Sequence, residues 1–235
     1  MNGEFPRPTA IVTGAASGIG AAAAAELKQR GWAVAGLDLH PAVDCDYTVQ
    51  VDVRDADAVA AAVVSIEDRW GPTDCAVSVA GYYEMLPVQD VRPEQWTRML
   101  RVHLGGLFNL CRAVLPGMLT QGSGSVVAVS SELAVGGGGG DAHYAAAKGA
   151  MLGVVRSLAA EVAPRGVRVN AVAPGPTDTP LLAADSPWRQ AEYLRSLPLG
   201  RLVAPREVAL CIAFLTEEGS FCVGEVLNPN AGAVI

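Results

Sequence analysis

The sequence predicts an α/β fold, doubly wound into three layers, with a mostly parallel sheet covered by helices on both faces. Three observations predict it. Short Val- and Ala-rich runs alternate with longer helical stretches along the chain. The strand-like runs are apolar almost throughout, as expected for strands buried on both faces. The chain has 235 residues, 51% hydrophobic and 17% charged, which suffices for one continuous core.

The elements follow in order. Pro8 leads into a strand at Thr9–Thr13, and a helix spans Gly18–Arg30. Strands at Trp32–Asp38 and Val49–Asp52 come next, then a helix at Ala56–Arg69 closed by Gly71-Pro72. Asp74–Val79 is a strand, Pro93–Leu119 a long helix and Ser125–Ser130 a strand. His143–Val162 is a helix closed near Pro164 and Gly166, and Val167–Ala171 is a strand. A helix at Pro205–Thr216 and a short strand at Glu225–Leu227 complete the set. One connection breaks the rhythm: only thirteen residues, Leu39 to Val51, separate Asp38 from Asp52. Pro41, Asp44 and Asp46 discourage a helix there, so an irregular crossover is expected. No linker or repeat divides the chain, which reads as a single domain with a substrate lid at about 180–200.

Composition excludes several classes. A net charge of −7 argues against nucleic acid or an anionic membrane as partner. Five scattered cysteines without a CxxC pair make a disulfide framework or a metal site unexpected and fit a reducing, cytoplasmic compartment. The N-terminus shows no signal-peptide pattern, and no uninterrupted apolar stretch reaches the roughly 18 residues of a membrane span.

Thr13-Gly14-Ala15-Ala16-Ser17-Gly18-Ile19-Gly20 joins the first strand to the first helix. Without side chains at Gly14, Gly18 and Gly20 the backbone can lie against a pyrophosphate, and the helix N-terminus favours that anion. Asp38 ends the second strand, where a carboxylate accepts hydrogen bonds from a ribose 2′-OH and repels a 2′-phosphate. No Lys or Arg occupies Ala15, Ala16, Ser17 or Leu39. The expected cofactor is therefore NAD in preference to NADP.

Tyr144 and Lys148 lie one helical turn apart on one face. A cation about 5 Å from a phenol favours the phenolate by roughly 3 kcal/mol at an effective dielectric near 20, or about two pKa units. Tyr144 can then exchange a proton with an alcohol or ketone oxygen as hydride moves. Ser131 ends the fifth strand, at the carboxyl edge where open α/β sheets bind ligands, and its hydroxyl can hold the substrate oxygen. The five glycines Gly136–Gly140 lie between Ser131 and Tyr144, a position that suggests a loop close to substrate.

With these residues in hand, the chain resembles the short-chain dehydrogenase/reductase family over nearly its whole length. The match covers Thr13–Gly20, Asp52-Val53, Ala80-Gly81, Ser131, Tyr144-Ala-Ala-Ala-Lys148 and Pro174-Gly175-Pro176-Thr177-Asp178-Thr179-Pro180. The resemblance implies a Rossmann-like seven-stranded sheet and one nicotinamide dinucleotide per chain. It implies that Lys148 also bonds the nicotinamide ribose, that Asp52 and Val53 flank the adenine, and that Ala80 and Gly81 flank the adenosine ribose. Pro174, Gly175, Thr177 and Thr179 would hold the nicotinamide end. Helices Pro93–Leu119 and His143–Val162 would build a homotetramer or homodimer interface, helped by the small residues Ala146, Ala147, Ala150 and Gly153.

Two positions depart from the family pattern. Val79 stands where an Asn is usual and cannot make an amide's hydrogen bonds. His103 also replaces a usual Asn, which in the family helps hold a water connecting the lysine to solvent. Histidine donates, accepts and titrates near physiological pH, so two readings stand: His103 sustains a modified relay, or it packs within the helix while backbone and water carry the relay. Trp188, Arg189, Tyr193 and Arg195 lie on the lid, and the two aromatics suggest a cyclic or aromatic alcohol or ketone. The leading expectation is an NAD-dependent oxidoreductase acting on such a small molecule. Two alternatives are a 3-oxoacyl-acyl-carrier-protein reductase, although that group generally uses NADPH, and a catalytically silent NAD-binding regulator.

Overall fold

The computed structural model describes residues 7–235. Its strands are β1 (Thr9–Thr13), β2 (Ala33–Asp38), β3 (Tyr47–Gln50), β4 (Cys75–Ser78), β5 (Gly124–Val129), β6 (Val167–Val172) and β7 (Val226–Leu227). Its α-helices are α1 (Gly18–Gln29), α2 (Ala56–Trp70), α3 (Pro93–Leu100), α4 (Gly106–Gln121), α5 (Leu133–Gly136), α6 (Ala142–Val162), α7 (Ala191–Ser196) and α8 (Pro205–Thr216). All seven strands pair in parallel, in the order β3-β2-β1-β4-β5-β6-β7. The chain leaves β1 in one direction and returns to its other side with β4. The carboxyl ends of β1 and β4 therefore flank the switch point, where such sheets open a ligand crevice.

Both faces are covered. Helices α2, α4 and α6 bury Val59, Ile66, Leu107, Leu110, Met151 and Val155 on one face. Helices α1 and α8 bury Ala23, Ala24, Leu27, Val208 and Ile212 on the other. The Ala-rich α1 lies close against α8 because its facing side chains are small.

The β2–β3 connection is the irregular crossover that its length and composition predict. It packs onto β2 at Gly36, where a Cβ would stand 2.8 Å from Cys45 Sγ and 2.9 Å from Ala42 Cβ. Asp46 fastens the loop by accepting a hydrogen bond from Val34 N at 3.1 Å.

The long helix differs from expectation. It runs from Pro93 to Gln121, but Arg101–Gly105 forms a π-helical turn between α3 and α4. Such turns carry an extra residue and often occur at functional sites. Here the turn contains His103 and is followed by Gly106, where a Cβ would lie 2.9 Å from Val53 Cγ2. This 29-residue helix has the length and apolarity of a membrane span by composition. Its Leu107, Leu110, Val114 and Met118 are nevertheless fully buried in the core.

Candidate active site

A cleft of about 420 Å³ opens at the switch point. Gly14, Ser17, Gly18 and Ile19 line one end of it. Gly14 (φ +70°) and Gly18 (φ +55°) adopt left-handed conformations that favour glycine. Gly20 serves packing: a Cβ there would stand 2.0 Å from Gly14 O. Ser17 is the N-cap of α1 but makes no capping hydrogen bond, and the first turn holds no acidic residue. The first N–H groups of α1 therefore lack the side-chain acceptor that usually covers them, as a phosphate-binding turn requires.

Asp38 is positioned by two backbone donors. Ala16 N donates to Oδ2 at 3.0 Å and His40 N to Oδ1 at 3.0 Å. These bonds fix a carboxylate in the cleft wall beside the glycine turn. Asp52 and Val53 also line the cleft. Asp52 lies beyond β3 and pairs with Arg54, whose guanidinium hydrogen-bonds lower its pKa. Arg54, His40 and Arg98 are lining residues that the motifs did not identify; their signal was only proximity to Asp38 and Asp52.

At the other end the fold brings Ser131, Tyr144 and Lys148 together. Ser131 follows β5, and the other two project from one face of α6. Lys148 Nζ lies 5.8 Å from the Tyr144 ring centroid and donates to Val129 O at 2.7 Å. Ser130 anchors this part of α6 by donating to Lys148 O at 2.9 Å. The electrostatics correct one expectation. Burial, reinforced by Glu132, raises the Tyr144 phenol above its ordinary value, with Ser131 opposing. Burial also pushes Lys148 down to about 7. In the protein alone, desolvation outweighs the attraction between ammonium and phenolate, and Tyr144 is a neutral phenol.

His103 is buried between these groups and the β4 loop. Its Nε2 lies 2.9 Å from Tyr82 O, its Nδ1 has no partner, and its ring meets Tyr144 edge-on at 5.5 Å. Burial and then the Lys148 charge hold its pKa well below the ordinary value. The ring is therefore neutral at physiological pH, which corrects the expectation that it titrates there. Gly81 fits directly beneath it, and Ala80 and Gly81 form the cleft wall. The Val79 departure is compensated by Thr13, whose Oγ1 accepts from Val79 N at 3.0 Å and Ala80 N at 3.1 Å.

Pro174, Gly175, Thr177 and Thr179 line the remaining wall. Thr177 Oγ1 donates to Gly175 O at 2.8 Å, bracing the segment internally. Trp188, Leu181 and Leu182 from the lid region also face the cleft. Tyr193 packs edge-on against Trp188 at 4.8 Å. Arg189 instead ties the lid down, donating to Asp178 Oδ1 at 2.7 Å and Leu182 O at 3.0 Å. The glycine run does not border the cleft, contrary to expectation. Gly138 makes room for Asp141, whose Oδ2 would stand 2.4 Å from a Cβ there. Gly140 O accepts from Leu86 N at 2.8 Å. Glu132 opens the segment Glu132–His143, which is expected from sequence to face substrate, with no role of its own for Glu132; it lines the cleft and receives a hydrogen bond from Ser131 Oγ at 3.1 Å. Tyr83 falls in the segment Gly81–Pro87, likewise expected to face substrate; its OH donates to Asp141 Oδ1 at 2.7 Å and accepts from Trp188 Nε1 at 3.1 Å.

Known proteins are similar to this chain in sequence and fold. Residues 14–233 match the family model described as enoyl-(acyl carrier protein) reductase. A 3-oxoacyl-acyl-carrier-protein reductase of Vibrio cholerae is 35% identical over 233 residues, covering 95% of this chain and 96% of the relative. A cis-4-hydroxycyclohexanecarboxylate dehydrogenase of Sinomonas cyclohexanicum is 39% identical over 245 residues, covering 99% and 98%. The ligand-free aldohexose dehydrogenase of Thermoplasma acidophilum superposes with a TM-score of 0.90 at 30% identity, over 96% of this chain and 93% of that one. Fold, site and relatives agree: the chain belongs to the short-chain dehydrogenase/reductase family of oxidoreductases, which binds a nicotinamide cofactor.

Proposed function

We propose that the protein is an NAD(H)-dependent dehydrogenase acting on a secondary alcohol or the corresponding ketone, with a cyclic or aromatic body. The observation that carries this reading is the convergence of Ser131, Tyr144 and Lys148 in the cleft that begins at the glycine turn. In this reading Gly14, Ser17, Gly18 and Ile19 hold the pyrophosphate and Asp38 the adenosine ribose, while Gly20, expected among the cofactor contacts, stands outside the cleft lining and lets the turn close against Gly14 O. Asp52 and Val53 flank the adenine, Ala80 and Gly81 that ribose, and Pro174, Gly175, Thr177 and Thr179 the nicotinamide end. When bound, the nicotinamide supplies or accepts the hydride.

The protein's own residues handle the oxygen and its proton. Ser131 holds the substrate oxygen by hydrogen bonding. Tyr144 donates its phenol proton to a carbonyl oxygen during reduction and is left as a phenolate; during oxidation the phenol first gives up its proton toward the neutral Lys148 amine, and the phenolate then takes the alcohol proton. Lys148 places a titrating amine near the phenol and the ribose. His103 contributes to the relay as a neutral ring, its free Nδ1 available to a water. The lid at about 180–200 covers the substrate, and the Trp188–Tyr193 pair supports a ring-shaped one.

The preference for NAD rests on the fixed Asp38 carboxylate, while Arg54 is engaged by Asp52. The five free thiols support a cytoplasmic setting. Exposed Phe108 on α4 and the open flank of Gly153 on α6 support a homotetramer or homodimer. The Sinomonas relative's name favours a cyclic alcohol. The Vibrio relative's name favours the 3-oxoacyl-acyl-carrier-protein reductase alternative, but a net charge of −7 suits an acidic carrier poorly. A screen of cyclic secondary alcohols with NAD and NADP, followed by nicotinamide absorbance, tests the reading. Turnover with NAD is expected; NAD binding without turnover of any alcohol or ketone would identify a silent binder.

A further inference from the structure

Glu132 sits one residue past Ser131, buried, on the wall of the cleft. Its Oε2 receives the Ser131 hydroxyl at 3.1 Å. The side-chain groups acting on this carboxyl are Ser131 and Asp141, and it acts in turn on the phenols of Tyr144, Tyr83 and Tyr193. None of them is a cation. Burial drives its pKa up to about 7, so the fold keeps a carboxyl here at a desolvation cost and without an ion pair. Leu133, Leu181, Leu182 and Trp188 line the same cleft, so Glu132 sets a strong acceptor among apolar groups.

We propose that Glu132 is a specificity-determining residue whose carboxylate accepts a hydrogen bond from a hydroxyl on the carbon next to the reacting carbon. The site thereby selects vicinal diols and their α-hydroxyketones. This rests on the dehydrogenase reading above, in which Ser131 touches the reacting oxygen. An acceptor 3.1 Å from Ser131 Oγ then lies one hydrogen bond further along the wall. The two oxygens of a vicinal diol are themselves roughly 2.8 Å apart, about one hydrogen-bond length. One diol therefore spans both residues. An ionised carboxylate only accepts, so it takes a hydroxyl and refuses a carboxylate or a second carbonyl at that position.

Steady-state kinetics on 1,2-cyclohexanediol and cyclohexanol, with wild type, Glu132→Gln and Glu132→Leu, tests this. Wild type should favour the diol in kcat/KM by about tenfold or more, the usual scale for a hydrogen bond to a charged group. Glu132→Leu should lose at least about tenfold more on the diol than on cyclohexanol, and Glu132→Gln should lose less. The wild-type KM for the diol should rise as pH falls through about 7, and Glu132→Gln should lack that rise. A wild-type ratio near one would overturn the proposal. Equal losses on both substrates would also do so, because a carboxyl that merely positions Ser131 has that effect. A preference for 2-aminocyclohexanol over the diol would replace the hydroxyl with an ammonium and equally overturn it. Calorimetric titration of the diol into the NAD complex separates the two readings. Selective diol binding, lost in Glu132→Leu but without turnover, would uphold Glu132 and defeat the dehydrogenase. Turnover without selectivity would do the reverse.

Discussion

The imidazole of His103 occupies the space that a side chain at Gly81 would need: a Cβ there would stand 2.3 Å from His103 Cε1. The π-helical turn delivers the ring onto the backbone just past β4, so these two residues are sterically coupled. Gly81→Ala should cost about 1–3 kcal/mol through overpacking. In a His103→Ala background the same change should cost less than about 1 kcal/mol, because the obstructing ring is gone. Urea unfolding of the four proteins measures the coupling. Equal costs in both backgrounds would show that the ring does not rest there.

His103 should contribute without titrating. Its pKa is depressed by burial and by Lys148, so the ring stays neutral through the ordinary histidine range. His103→Asn should therefore lower kcat modestly, by less than about tenfold, while leaving the pH midpoints of kcat/KM in place. A midpoint that moves on this substitution would restore a titrating role.

Lys148 makes the site costly to the fold. Burial lowers its pKa from 10.5 to about 7, so between those values the unfolded chain binds a proton that the native chain does not. Stability then rises with pH across that window, and the cost is fully present below about 7. Lys148→Met should stabilise the protein without cofactor by about 1–3 kcal/mol near pH 6 and flatten the rise toward pH 10. Denaturation at several pH values would detect it. An unchanged slope would mean that the amine is well solvated.

Asp38 should set cofactor choice. Wild type should bind NAD at least about tenfold more tightly than NADP, because a 2′-phosphate would face the fixed carboxylate. Asp38→Ala should narrow that gap mainly by weakening NAD. Comparable wild-type affinities for the two cofactors would contradict this.

The sheet was legible because its central strands are buried on both faces; the partly exposed β3 lies at Tyr47–Gln50, two residues before the expected Val49–Asp52. Val-rich runs such as Val167–Val172 can be little else, and Pro41 with Asp44 and Asp46 marked the helix-free crossover. The glycine turn, Ser131, Tyr144 and Lys148 carry spacings tied to chemistry, and the fold gathers them in one cleft. The π-helical turn was not legible, since nothing in the composition of Arg101–Gly105 sets it apart from the helix on either side. The glycine run misled because a flexible composition does not say which way a loop folds, and Gly136–Gly140 lie outside the cleft lining. The charge state of Tyr144 was misjudged because pairwise attraction to Lys148 was weighed without the desolvation of both groups. Glu132 carried no motif beyond its place in a segment expected to face substrate, and its burial beside Ser131 singled it out.

The central claim is that the Tyr144 hydroxyl exchanges the substrate proton. The most direct measurement compares wild type and Tyr144→Phe in turnover of an accepted alcohol and in NAD affinity. Turnover should fall by about 10²- to 10⁴-fold, the range for removing a general acid–base, with NAD affinity within a few fold of wild type. Turnover that survives the loss of the hydroxyl would contradict the account.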